Sequence, residues 1–233
     1  MLILAFETSA KAASVALHDG AKLLAEAYQN TGLTHSQTLM VMAQDLLKQC
    51  GFTPKDVTAV AVAAGPGSFT GVRIGVAAAK GFAWGAELPC YGISTLEAMA
   101  KNAGIFDGYV CSCMDARRSQ VYNAVFCANH GALERVVPDR AISLEDLGKE
   151  VMEVASPVYL VGDGAELTYR TLASRSPNLV LPPEHLQHQR AAGVALVAAE
   201  QIRAGVAADA GALQPNYLRL SQAEREKLER MQK

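Results

Sequence analysis

Apolar and polar positions alternate in short blocks from the start of the chain, and the blocks switch from a period of two to a period near 3.6 at regular intervals. Residues 2–8, 13–18 and 22–28 read as three strands, the last two joined at Asp19-Gly20, a dipeptide suited to a tight hairpin turn. A helix over 35–50 follows, opened by Thr34 with Gln37 as a capping box and closed by Gly51. Strand 57–64, helix 71–86, a short strand 90–92 and a helix behind the capping box Ser94/Glu97 complete the first half.

The second half repeats this order. Strands are predicted over 109–114, 120–127 and 133–137, then a helix N-capped by Ser143 and running to about Val154. Strand 158–161, helix 165–173, strand 179–181 and helix 190–203 finish it. Two successive βββαβαβα units predict a duplicated α/β fold, and that ground plan resembles the actin, hexokinase and Hsp70-like (ribonuclease H-like) ATPase superfamily. The expected division is residues 1–104 for the first lobe and 105–233 for a shortened second lobe. The tail after Ser221, with its box Ser221/Glu224 and the pairs Glu226/Arg230 and Glu229/Lys233, reads as a mobile, solvated helix.

Composition narrows the chemistry. The 233 residues are 50% hydrophobic and include forty alanines and 19 glycines but only 6% aromatics, which favours close backbone packing over a stacking surface. The net charge of −2 argues against a protein that grips many phosphates by itself, so any nucleic-acid role is expected to need a partner. No apolar run approaches the ~20 residues of a membrane span. Met1 to Phe6 meets Glu7 without a basic region or a small-residue cleavage site, so the chain is expected in the cytoplasm. Five scattered cysteines fit reduced core thiols better than a disulfide framework, although Cys111 and Cys113 should point the same way from one strand.

The loop Gly65-Pro66-Gly67-Ser68-Phe69-Thr70-Gly71, between an apolar strand and a helix, stands where backbone N–H groups and a positive helix end could meet a phosphate. It fits neither the P-loop, which needs a Lys after its second glycine, nor Gly-x-Gly-x-x-Gly, because Thr70 holds the last place. A plain strand-to-helix turn is the alternative. At the first hairpin, Glu7-Thr8-Ser9 takes the place where the ATPase superfamily sets an acidic residue followed by glycine, so Glu7, Thr8, Ser9, Gly65 and Gly67 are read as a vestigial nucleotide site. Metal chemistry is not expected: His18, His130, His185 and His188 read as loop or surface residues, and His35 has Leu39, not a second histidine, one turn on. Asp115, Arg117 and Arg118 sit in a hairpin where Asp and Arg could pair. No nucleophile with an adjacent base can be assembled from sequence neighbours, which argues against a protease.

Leu4-Ala5-Phe6-Glu7-Thr8-Ser9, Thr34-His35-Ser36, Ala64 through Gly75, Gly92-Ile93-Ser94-Thr95-Leu96, Met114-Asp115-Ala116-Arg117-Arg118 and Pro215-Asn216-Tyr217-Leu218-Arg219 together resemble the TsaB (YeaZ) family. The Gly65–Gly75 stretch is the specific part. The resemblance implies a non-catalytic subunit, without cofactor, in the formation of threonylcarbamoyladenosine beside the tRNA anticodon. It implies pairing with the catalytic relative TsaD, recruitment of the ATPase TsaE, and a homodimer when alone. The runner-up is an autonomous small-molecule ATP-dependent kinase of the same fold.

A contact surface is expected on the helices 35–50 and 71–86. Leu39, Met40, Met42, Ala43, Leu46, Leu47 and Cys50 span roughly 160° at ~100° per residue, wider than the ~100° stripe that one sheet covers. On the second helix Gly71, Gly75, Ala79 and Ala83 recur every four residues, and only Arg73 and Lys80 are charged. These positions predict a four-helix contact with a second subunit, which a charge at Met40 or Leu47 would abolish without unfolding the monomer; the alternative is that both helices are buried wholly within one lobe packed by small residues.

Overall fold

The computed structural model describes residues 1–103 and 107–219. The predicted charged tail lies outside the described residues. Three strands open the chain, β1 (Ile3–Glu7), β2 (Ala13–His18) and β3 (Leu23–Gln29), followed by α1 (His35–Gln49), β4 (Ala59–Gly65), α2 (Phe69–Gly85), β5 (Cys90–Ser94) and α3 (Thr95–Ala103). The second series is β6 (Gly108–Asp115), β7 (Gln120–Asn129), β8 (Ala132–Ser143), α4 (Leu144–Met152), β9 (Val158–Val161), α5 (Ala165–Leu172), β10 (Leu179–Val180) and α6 (Ala191–Arg203).

Each series builds one five-stranded sheet. The orders are β3-β2-β1-β4-β5 and, read from the other edge, β8-β7-β6-β9-β10. In each sheet the first strand pairs antiparallel with the second and parallel with the fourth. The duplication predicted from element order is therefore a duplication of topology. No described helix is long and apolar enough to cross a membrane.

The helices do not follow the same division as the strands. Alternation along β1 and β4 sends Leu4, Phe6, Val60 and Val62 to one face, where α1 and α2 cover them. The other face carries Ile3, Ala5, Ala16, Ala59, Ala61 and Ala63, and α6 lies on it. Alanine on that face lets a helix backbone come close, and Gly193 of α6 lies so near α3 that a Cβ there would stand 2.0 Å from the Ala98 carbonyl oxygen. Helix α3 faces the second sheet, with Leu96, Met99 and Ala103 against Val110, Phe126 and Val161. The layers run α1/α2, first sheet, α6/α3, second sheet, α4/α5.

A polar cluster fixes the return of α6. Glu26 on β3 accepts from the Ala192 N–H (3.1 Å) and from Arg190 (2.9 and 2.7 Å), and Ser14 accepts from the Ala191 N–H at 3.1 Å. A carboxylate at the helix N-terminus satisfies donors that have no partner inside the helix.

Several local expectations are corrected. Thr34 places no side-chain cap on α1, and the bond there is Gln37 N–H to the Thr34 carbonyl, 2.9 Å. Helix α2 starts two residues early because Ser68 accepts from the Gly71 N–H. The β2–β3 turn spans Asp19 to Lys22, closed by Asp19 N–H to the Lys22 carbonyl at 3.1 Å. Strand β8 continues past Val137 to Ser143, since Pro138 and Asp139 fall in a bulge on this edge strand, where a missing N–H costs no ladder bond. His18 is buried, not superficial, with Nδ1 accepting from the Gly20 N–H at 2.9 Å.

Candidate functional site

The two sheets leave a cleft of about 720 Å³ at the ends of β1, β4, β6 and β9. Ser9, Lys11 and Gly67 line it from the first series, Arg117 and Asp163 from the second, and the segment 216–219 forms part of its wall. Of the residues read as a vestigial nucleotide site, Ser9 and Gly67 line this cleft, and Glu7, Thr8 and Gly65 do not.

Those residues face one another. The Ser68 N–H donates to the Ser9 carbonyl at 2.7 Å, Thr8 Oγ1 donates to the Gly71 carbonyl at 2.8 Å, and the Ser9 N–H donates to Glu7 Oε1 at 2.6 Å. Glycine is needed for this approach: a Cβ at Gly67 would stand 2.6 Å from the Ser9 carbonyl oxygen, at Gly71 2.1 Å from that of Thr8, and at Gly75 2.3 Å from Thr8 Oγ1. Gly65 has φ +115°, and its Cβ position is blocked by the Asn216 carbonyl oxygen at 2.5 Å. The glycine spacing thus records close packing of the helix entry against the hairpin.

Glu7 and Thr8 are buried and do not line the cleft. Burial pushes the Glu7 carboxyl up to about 7, despite the Ser9 N–H, and its second oxygen has no hydrogen-bond partner. Asp163, exposed on the cleft wall, is held above the usual carboxylate range, first by the loss of water on the side facing the protein and then by the negative charge of Asp115, while Gln189 Nε2 donates to it at 2.9 Å. Ser9 Oγ is buried without a partner. Among the described residues no group of three or more His, Cys, Asp or Glu side chains could hold a metal ion.

The second hairpin carries the predicted Asp115–Arg117 pair at 3.2 Å, with Arg117 84% exposed, a geometry that contributes little to stability. Arg117, Arg118 and Ser119 have φ of 64°, 57° and 56°, three consecutive side chains in the left-handed region. His188, read as a loop residue, stands on the cleft wall. Cys111 and Cys113 do share a face, with Sγ atoms 3.6 Å apart, both buried, and all five cysteines are free.

The expected contact set is placed differently. Leu39, Met42, Ala43, Leu46, Leu47, Gly71, Gly75, Ala79 and Ala83 are buried within this chain, and only Met40 of the ten reaches solvent. Their arc is wide because α1 packs on both the sheet and α2, and the small residues of α2 face Thr8 and Val62. A charge at Leu47, 2% exposed, would enter the core and destabilise the monomer itself, contrary to the expectation from the helix pattern. The apolar side chains that α1 and α2 expose are Met40, Val41 and Trp84, with Ala77 and Gly81 on the same helix as Trp84.

Residues 29–227 match the family described as TsaD: tRNA N6-adenosine threonylcarbamoyltransferase. Over 225 residues the chain is 36% identical to the tRNA threonylcarbamoyladenosine biosynthesis protein TsaB of Bacillus subtilis, covering 96% of each. This chain belongs to the TsaB family. It is also 37% identical to Escherichia coli TsaB over 167 residues, 70% of this chain and 72% of that one. The solved structure of a Pseudomonas aeruginosa protein, described as uncharacterized with similarity to peptidase YEAZ, superposes with a TM-score of 0.79 at 28% identity, over 94% of this chain and 99% of that one. Beyond the TsaB family the fold alone extends to (R)-2-hydroxyglutaryl-CoA dehydratase component A of Acidaminococcus fermentans, TM-score 0.51 at 12% identity, covering 87% and 99%. The two βββαβαβα units with matching sheet orders are the duplicated α/β fold expected from the order of elements.

Proposed function

We propose that this TsaB-family chain acts in threonylcarbamoyladenosine biosynthesis as a cytoplasmic, non-catalytic subunit that pairs with TsaD, recruits TsaE and forms a homodimer when alone. The observation that carries the non-catalytic reading is the mutual satisfaction of the first hairpin and the glycine loop. Ser68 N–H, Thr8 Oγ1 and the Ser9 N–H already have partners inside the chain, and the space beside Gly67, Gly71 and Gly75 is filled by Thr8 and Ser9. A phosphate cradle needs those donors free and that space open. Glu7, with its carboxyl buried and its pKa near 7, is poorly suited to hold a divalent cation at neutral pH.

The pairing surface is proposed on the exposed faces of α1 and α2, where Val41 is 55% exposed and Trp84 63%. An exposed tryptophan beside small residues that let another helix approach is the composition of a central contact. Reconstitution tests the reading: tRNA threonylcarbamoylation by TsaD and TsaE should require this chain and persist with Glu7→Gln. Val41→Asp combined with Trp84→Asp should leave the circular dichroism unchanged while abolishing co-purification with TsaD. Retained pairing in that variant would remove α1 and α2 from the interface, and loss of activity in Glu7→Gln with pairing intact would return the chain to the kinase reading.

A further inference from the structure

The segment after α6 returns along α2 and then crosses to the other lobe, and its contacts come in two sets. On the first lobe, Lys80 Nζ donates to the carbonyls of Gly211 (3.2 Å) and Leu213 (3.0 Å), Leu213 packs on the core, and the Asn216 N–H donates to the Ala64 carbonyl at 2.7 Å. Tyr217 stacks on Phe69 with centroids 4.9 Å apart, and Arg73 lies 3.8 Å from the Phe69 centroid while its Nε donates to the Tyr217 hydroxyl at 2.7 Å. On the second lobe, Arg219 Nη1 donates to the Ala116 carbonyl at 2.5 Å, at the root of the left-handed turn 117–119. Arg73 and Lys80, the only charged residues of α2, both hold this segment.

We propose that residues 211–219 form a releasable strap that sets the width of the interlobe cleft and couples it to α2. The strap touches the glycine loop and the second hairpin, which stand on opposite walls of the cleft, and Asn216 to Arg219 line the space between them. It is held chiefly by polar contacts and one ring stack on a half-exposed surface, with Leu213 as its apolar anchor and the buried Ala210 just before it. A segment with so little buried apolar surface opens at a lower free energy than the sheets it bridges. Release at either end frees Gly65 from the Asn216 carbonyl and the 116–120 turn from Arg219 together.

Hydrogen exchange on the full chain tests this through effects across the cleft. Arg73→Ala changes an exposed side chain that touches only the first-lobe end of the strap; amides of 116–120, on the other lobe, should nevertheless exchange at least tenfold faster. Arg219→Ala touches only the second-lobe end; amides around 64–68 and Asn216 should exchange faster by a similar factor. The double variant should show no more than the larger single effect, because either change opens the same strap. Effects confined to the wall each residue touches, or additive effects in the double variant, would overturn the proposal. Circular dichroism and unchanged exchange in β1, β6 and residues 59–63 of β4 establish that the variants are folded.

Discussion

The two lobes carry the same topological device at the cleft with opposite surroundings. In the first, the turn after β1 is buried and bonded to the loop before α2: Ser68 N–H to the Ser9 carbonyl, Thr8 Oγ1 to the Gly71 carbonyl. In the second, Gly164 N–H reaches back to the Cys113 carbonyl at 3.0 Å, a Cβ there would stand 2.9 Å from the Asp115 nitrogen, and the loop Gly162-Asp163-Gly164 occupies the place of Gly65-Pro66-Gly67. Its hairpin, however, projects Arg117 and Arg118 into solvent on a strained turn. In both lobes the loop after the parallel partner strand bonds back toward the first strand, at Ser9 just beyond β1 in one and at Cys113 within β6 in the other. What differs is the side chains: the first lobe closed its site with Thr8, Ser9 and Glu7, while the second kept a charged, exposed rim.

The largest break in that comparison is expected from Gly71→Ala. The new methyl would stand 2.1 Å from a backbone oxygen that is itself buried, so the helix entry or the hairpin must move, and the loss should exceed about 3 kcal/mol. Gly81→Ala, on the exposed face of the same helix with nothing within 4 Å, should instead gain about 1 kcal/mol. Urea unfolding of the pair separates packing from helix propensity; equal effects would mean that the glycine spacing has no packing role.

Next comes the buried carboxyl. Glu7 is raised from 4.5 to about 7, so the folded state binds its proton more tightly than the unfolded chain does, and stability falls as pH rises from 4.5 to 7. Glu7→Gln removes that loss. The variant should match the parent near pH 4 and exceed it at pH 8 by about 3 kcal/mol. A parallel shift of the whole Glu7→Gln curve would show that burial does not perturb this carboxyl.

Much of the architecture was legible because its signals are local. Glycine after α1, the Ser143 cap and the switch from period two to period 3.6 each act within a few residues. What escaped depends on partners distant in sequence. The broad apolar arc of α1 says that much of the helix is covered, but not whether the cover is its own sheet and α2 or another chain, and nine of ten expected contact residues proved internal. The strap has no periodicity to read; Tyr217 and Arg73 are 144 positions apart. The glycine loop is visible in the sequence between a strand and a helix, but its packing against Thr8 and Ser9 depends on the fold. A β8 ending at Val137 was the natural reading of Pro138, overturned by a bulge on an edge strand.

The smallest effect sharpens the contrast from the second lobe. Arg118 sits at φ 57° between two other left-handed residues, a conformation that costs an L side chain roughly 1–2 kcal/mol. Glycine there removes the steric cost but gives the unfolded chain more freedom, which offsets roughly 0.5–1 kcal/mol. Arg118→Gly should therefore stabilise by less than about 1 kcal/mol, visible as a small rise in the urea midpoint with an unchanged slope. Ala10→Gly in the first hairpin, where φ is not positive, has no strain to relieve and should lower the midpoint. If Arg118→Gly destabilised as much as Ala10→Gly, the second turn would be held by contacts of the Arg118 side chain, and the open rim would be as firmly built as the closed site opposite it.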